Sequence, residues 1–111
     1  MPGDDLIEVL GNKYNTEILA AADDPKSAQE LSDELDVPIA TCYRRIEELQ
    51  DVDLLELHDR PLSEDRRRIN VYRRRVERVS VEFAGGVDID LEERSAVTNR
   101  LDEVWRNLSN A

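Results

Sequence analysis

Apolar residues in the first half of the chain recur at three- and four-residue intervals, and after position 51 they alternate with polar ones, so helices should give way to strands. Leu6, Ile7 and Leu10 predict a short first helix over 4–10, with Gly11 as a left-handed terminator. Asn12 is placed to cap a second helix whose Tyr14, Ile18, Leu19 and Ala22 share one face, and Asp23-Asp24-Pro25 should end it. Ser27 and Glu30 have the spacing of a capping box, which opens a third helix carrying Leu31 and Leu35. Asp36 and Val37 make a tight turn. Pro38 suits the first position of a fourth helix, in which Ile39, Cys42, Ile46 and Leu49 form a buried stripe. That stripe leaves Ala40, Thr41, Tyr43, Arg44, Glu47 and Glu48 facing outward.

Beyond Asp51, Leu55 and Leu57 alternate with Glu56 and His58, and Ile69, Val71 and Arg73 alternate with Asn70, Tyr72 and Arg74. A β-hairpin with a long, arginine-rich tip follows. A second hairpin is built on Val79, Val81 and Phe83 in one arm and Val87, Ile89 and Leu91 in the other. A two-residue Gly85-Gly86 loop would set Phe83 opposite Asp88. A three-residue loop, Ala84-Gly85-Gly86, pairs 83 with 87, 81 with 89 and 79 with 91, and places all six apolar residues on one face, so it is the register expected. Asp90 and Glu93 form a further candidate capping box. They would open a last helix with Val97, Leu101, Val104, Trp105 and Leu108 along one side, in which 97, 101, 104 and 108 have the 4-3-4 spacing of a coiled-coil seam. The fold class expected is α+β, mainly α, with residues 1–75 as one functional unit and 76–111, hairpin plus helix, as a dimerisation element of the same body.

Charge changes the picture. The 111 residues hold 15 basic and 26 acidic side chains, a net charge of −11, which at face value argues against an anionic partner. Yet residues 60–78 contain eight arginines and only three acids, Glu64, Asp65 and Glu77. The positive charge is concentrated. Lys13 and Lys26 are the only lysines, so it rests on arginine, the side chain suited to bidentate contacts with phosphate and guanine. A single cysteine, Cys42, rules out an internal disulfide and a cysteine-based zinc site. No apolar run approaches the ~18 residues of a membrane span, and Met1 to Asp5 lack the pattern of a signal peptide, so a cytoplasmic protein is expected. With one histidine, no Gly-rich phosphate loop and no Ser/His/Asp set, neither catalysis nor a metal nor another cofactor is expected.

Two short helices joined by a tight turn, the second with a polar face at its start, followed directly by a hairpin, have the order of a winged helix-turn-helix. Residues 27–49, SAQELSDELDVPIATCYRRIEEL, resemble the helix-turn-helix of ArsR-type transcriptional regulators, and Leu10-Gly11-Asn12 with Thr16-Glu17-Ile18-Leu19 resembles the start of that family's second helix. The whole chain is similar to short haloarchaeal winged-helix regulators, and its acidic, lysine-poor composition resembles salt adaptation. The resemblance implies a recognition helix over about 38–50 that places Thr41, Tyr43 and Arg44 in the DNA major groove beside Ala40, with Arg45 toward a flanking phosphate. It also implies that Arg66, Arg67 and Arg68 grip the backbone or minor groove. Ser27 and Gln29, and the free amides behind Pro38, are further candidates for phosphate. Two departures stand out. Asp36 replaces the usual turn glycine, and Glu47 and Glu48 would repel phosphates, so only the N-terminal half of the helix should enter a groove.

The function expected is that of a sequence-specific transcriptional regulator acting on double-stranded DNA as a homodimer, through Leu6, Ile7 and Leu10 together with Val97, Leu101, Val104, Trp105 and Leu108. The net charge sustains a different class of reading, a winged helix used for contact with transcription or chromosome proteins. A third reading makes Cys42 a redox or metal sensor. Cys42 occupies a core position of the fourth helix, however, and the Cys-x-Cys pair of metal-sensing relatives is absent. His58 reads as a surface side chain, and no membrane or small-molecule partner is indicated.

Overall fold

The computed structural model describes residues 3–94, with side chains from residue 5 onward. Helix α1 (Gly3–Leu10) runs into α2 (Lys13–Ala21) through a two-residue corner. Gly11 does not adopt the left-handed geometry expected of it. Its N–H donates to the Ile7 carbonyl at 2.9 Å, extending the helical turn, and the Asn12 side chain then accepts from the Tyr14 amide to start α2. The inward face of α2 is Asn15, Ile18 and Leu19, followed by Ala22, whereas Tyr14 is exposed. Asn15 is buried because its Nδ2 donates to the Val9 carbonyl at 2.7 Å, binding α2 to the end of α1.

A two-residue strand, β1 (Lys26–Ser27), precedes α3 (Ala28–Leu35). Both halves of the capping box form, with Ser27 Oγ accepting from the Glu30 amide and the Glu30 carboxylate accepting from the Ser27 amide. Asp36 ends α3 in the left-handed region, at φ 55°, and turns the chain into α4 (Ile39–Asp51). Pro38 is the N-cap of α4, one position earlier than expected, and Ile39 is exposed. The buried stripe therefore reduces to Cys42, Ile46 and Leu49. These meet Ile18, Leu31, Leu54 and Leu55 in the core. At about 1.5–3 kcal/mol for each large side chain buried, this cluster holds the three helices together far more strongly than any cap.

Strands β2 (Leu55–Asp59) and β3 (Val71–Arg74) pair antiparallel, and β1 joins the other edge of β3 with Lys26 opposite Tyr72 and Ser27 opposite Val71. The sequence pattern missed β1, and it misjudged the face of β3, where Tyr72 is the buried residue. A separate hairpin of β4 (Val76–Glu82) and β5 (Asp88–Glu93) has Val79 opposite Leu91 and Val81 opposite Ile89, the register of the three-residue loop. Asp90 and Glu93 lie within β5, so no helix is capped there. Ladder pairing to β4 takes up the backbone that a capping box would need. Val97, Leu101, Val104, Trp105 and Leu108 lie outside the described residues. Among the described residues no helix is long and apolar enough to cross a membrane.

Candidate nucleic-acid interface

The outward side of α4 begins at an N-terminus that no side chain caps. Pro38, Ala40, Tyr43 and Arg44 are exposed there, and Thr41 is half-buried. Tyr43 and Arg44 are presented because Cys42 and Ile46 are pinned in the core, and the helical period turns their neighbours outward. Arg45 is placed differently from expectation. It is largely covered and pairs with Glu48 at 2.9 Å one turn along, so its charge is already matched.

The β2–β3 hairpin extends past its regular ladder. Leu62 bridges Arg68, the Ile69 amide donates to the Pro61 carbonyl, and the Ser63 amide donates to the Arg67 carbonyl. These pairs leave a three-residue loop, 64–66, with Arg66 left-handed at φ 61°, the geometry of a hairpin closed by a turn and a bulge. The tip is thus a continuation of the ladder. Arg66, Arg67 and Arg68 are all exposed, and Arg68 Nη1 donates to the Arg60 carbonyl at 3.1 Å.

The arginines of 60–78 divide by position. Near the base, Arg74 pairs with Asp23 and Glu77, Arg75 with Asp53, Glu56 and Glu93, and Arg78 with Glu92. Arg73, also near the base, is half-buried opposite Glu56 in the ladder. Towards the tip, the exposed Arg60, Arg66, Arg67 and Arg68 form no ion pair among the described residues, nor does the exposed Arg44 on α4. Exposed arginine without an ion pair therefore collects at the far end of the hairpin, where Glu64 and Asp65 share the tip loop, and on α4, and Lys13 on α2 is a further exposed cation without an ion pair among the described residues.

A cleft of about 370 Å³ joins these two regions. Gln29 from α3, Tyr43 from α4, and Arg60, Arg68, Asn70 and Tyr72 from the hairpin line it. Of the residues expected at the site, Gln29, Tyr43 and Arg68 come together here, although Gln29 also donates to Asp33 at 3.0 Å. Ser27 touches the same cleft but is only 6% exposed, and its hydroxyl is committed to the Glu30 amide. It acts as a cap and not as a phosphate ligand. Arg60 and Asn70 were not singled out from sequence. The hairpin register would have found them, since the pairing that joins Leu62 to Arg68 also sets Arg60 opposite Asn70.

Two other candidates have other roles. Cys42 is fully buried, its Sγ 3.5 Å from the Ala28 carbonyl, and burial pushes the thiol pKa up, which disfavours the reactive thiolate. Leu6 is only 4% exposed in the chain's own core and Leu10 packs against it, so of the α1 residues expected at a dimer contact Ile7 alone is free.

The helical pair α3–α4, joined by the left-handed turn at Asp36 and followed by the β2–β3 hairpin, has the arrangement of a helix-turn-helix. Residues 10–58 match a family model described as a helix-turn-helix domain, which spans the stretch from the end of α1 into β2. A comparison with curated proteins found no match.

Proposed function

We propose that the protein is a sequence-specific DNA-binding transcriptional regulator of the winged type, with α4 as the recognition helix and the β2–β3 hairpin as the wing. The observation that carries this reading is the segregation of arginine. In a chain of net charge −11, the exposed guanidiniums of Arg44, Arg60, Arg66, Arg67 and Arg68, without an ion pair among the described residues, lie on the start of α4 and the outer hairpin, whereas Arg74, Arg75 and Arg78 at the base are neutralised. An acidic body with one cationic edge steers a polyanion to that edge and keeps it off the rest.

In this reading Thr41, Tyr43 and Arg44 address base edges in the major groove, with Ala40 in close approach and the open amides behind Pro38 near a phosphate. Arg66, Arg67 and Arg68 hold the sugar-phosphate backbone or the minor groove. Glu47 and Glu48 keep the second half of α4 out of the groove. One such unit reads only a few base pairs, so the working form is a homodimer on an inverted repeat with half-sites about one helical turn apart. The ArsR-type resemblance of residues 27–49 agrees with this assignment.

Selection from a random pool of duplexes tests it, followed by titration of the enriched sequence in low to molar KCl. Enrichment of a two-fold symmetric site, lost with Arg44→Ala, is the expected result. Failure to enrich any sequence at any salt concentration overturns the reading in favour of a protein-docking winged helix.

A further inference from the structure

The cleft of about 370 Å³ between α3, α4 and the β2–β3 hairpin differs in charge from the chain as a whole. In a protein with 26 acidic side chains, none of the described residues lining it is acidic, and two of them, Arg60 and Arg68, are arginines. Neither forms an ion pair among the described residues. Carboxylates stand behind the walls: Asp59 accepts from the Arg60 amide at 2.7 Å, Asp33 from Gln29 at 3.0 Å and Glu30 from the Ser27 amide at 3.0 Å. Arg60 and Arg68 also border a second, more open hollow, and there Asp59 is part of the lining. An anion is favoured on the first side, where no carboxylate opposes it.

The hairpin register groups the donors. Asp59 opposite Val71 and Leu62 opposite Arg68 set Arg60 opposite Asn70, and Arg68, two residues from Asn70, shares their face. The Arg68 guanidinium is steadied by the bond from its Nη1 to the Arg60 carbonyl at 3.1 Å, and its other N–H groups remain for a ligand. Asn70 Nδ2 meets the Tyr72 hydroxyl at 3.5 Å, long for a hydrogen bond, so its amide also has capacity to spare. Donors on both strands suit a tetrahedral anion, whose oxygens point several ways. A planar carboxylate would be satisfied by one guanidinium edge.

Position narrows the source. A helix with its side chains is about 10–12 Å across and the major groove about 12 Å wide, so a helix in the groove has a phosphate rail against whatever flanks it. The cleft flanks the outward side of α4, because Tyr43, which lines it, is the neighbour of the exposed Arg44.

We infer that this cleft is a seat for a single phosphate group, held by Arg60, Arg68 and Asn70, and that the group it takes is a phosphodiester of the DNA backbone. The assignment to DNA deepens the proposed function and rests on it. It adds Arg60 and Asn70 to the interface and separates Arg68 from Arg66 and Arg67, which do not line the cleft.

The first test contains no DNA. Inorganic phosphate is titrated into the full chain at fixed ionic strength while the arginine Nε–H and side-chain amide resonances are followed. Saturable shifts at Arg60, Arg68 and Asn70 are expected, with the midpoint at Arg68 and Asn70 raised about tenfold in Arg60→Gln, the effect of losing one charged hydrogen bond. Both hydrogen bonds of Arg60 run through its main chain, so this variant removes the charge and keeps them. Shifts equal to those at Arg66 and Arg67, or reproduced by chloride alone, overturn the seat.

The second test assigns the source. On the duplex enriched by selection, a methylphosphonate replaces each phosphate in turn. One position in each half-site is expected at which the wild type loses about tenfold in affinity while Arg60→Gln loses nothing more. Saturation by inorganic phosphate with no position coupled to Arg60 overturns the assignment to DNA in favour of a free phosphate compound. Saturation without selection of any duplex overturns the proposed function and leaves the seat standing. Selection of a duplex by a chain whose cleft does not respond to phosphate overturns the seat alone.

Discussion

Arg74, on β3, donates from Nη1 to the main-chain oxygen of Leu19 at 2.9 Å, near the end of α2. The last carbonyls of a helix have no partner within it, and a guanidinium satisfies them with the charge sign the helix dipole favours. The same side chain pairs with Asp23 at 2.8 Å and donates to the Val76 carbonyl at 2.7 Å. One residue thereby ties the hairpin base to the helical body, which sets where the unpaired arginines at the other end are held.

Replacing it should therefore alter both stability and function. Arg74→Ala is expected to lower unfolding free energy by about 2 kcal/mol, the range for hydrogen bonds to a charged group. Arg74→Lys should recover less than half, since an ammonium cannot reproduce the planar fork. Denaturant titration measures the loss. Under the proposed function, a duplex affinity that falls beyond what the unfolded fraction explains would report a displaced β2–β3 hairpin.

Arg44 and the tip arginines should separate in a salt titration. Arg44→Ala is expected to cost about 1–3 kcal/mol at one position of the half-site and to relax preference there, with little change in salt dependence. Combined replacement of Arg66, Arg67 and Arg68 by alanine should weaken binding evenly across sequences. It should also reduce the slope of log affinity against log salt by about one for each phosphate no longer neutralised. Equal effects of the two variants on slope would contradict the division into reading and gripping residues.

Asp36 holds φ 55° at the turn between α3 and α4. A β-carbon in that region is strained, whereas glycine is not. Asp36→Gly should raise stability by up to about 1 kcal/mol, read as an increase in the denaturant midpoint with DNA preference unchanged. A decrease would mean that the carboxylate contributes more than its backbone costs.

Cys42 bears on pH dependence. Burial raises its pKa in the folded chain above the ordinary value of 9.0, so as pH rises the unfolded chain loses this proton first. The stability contribution is thus constant below that value and declines above it, until the folded thiol also titrates. The decline should be absent in Cys42→Ala, which starts from a lower stability because of the cavity left. Thiol reagents should modify native Cys42 only as fast as the chain opens. Rapid modification under native conditions would return the residue to consideration as a sensor.

The sequence was legible wherever a decision is made between near neighbours. The Asn12 cap, the Ser27–Glu30 box, the tight turn at Asp36 and the register of β4 with β5 all depend on groups a few residues apart or on one alternation of faces. The same reasoning failed where a distant strand competed for the backbone. Lys26 and Ser27 look like a loop before a helix until Tyr72 and Val71 arrive to pair with them. Asp90 and Glu93 look like a capping box until β4 claims them, and Tyr14 loses its inward place to an asparagine that finds a carbonyl on α1.

By itself, then, the order of residues determined that two helices and a turn precede an arginine-rich hairpin, and which side of α4 faces outward, because periodicity and capping act over a turn or two of chain. Which arginines remain free to meet a ligand was settled only by the tertiary structure. Arg74 and Arg94 are neutralised by Asp23, on the far side of the domain in sequence, while Arg60 and Arg66 to Arg68 stand too far along the hairpin for any acid of the core to reach them. Ion pairing depends on distance in space, and only folding brings residues 51 positions apart to within 2.8 Å.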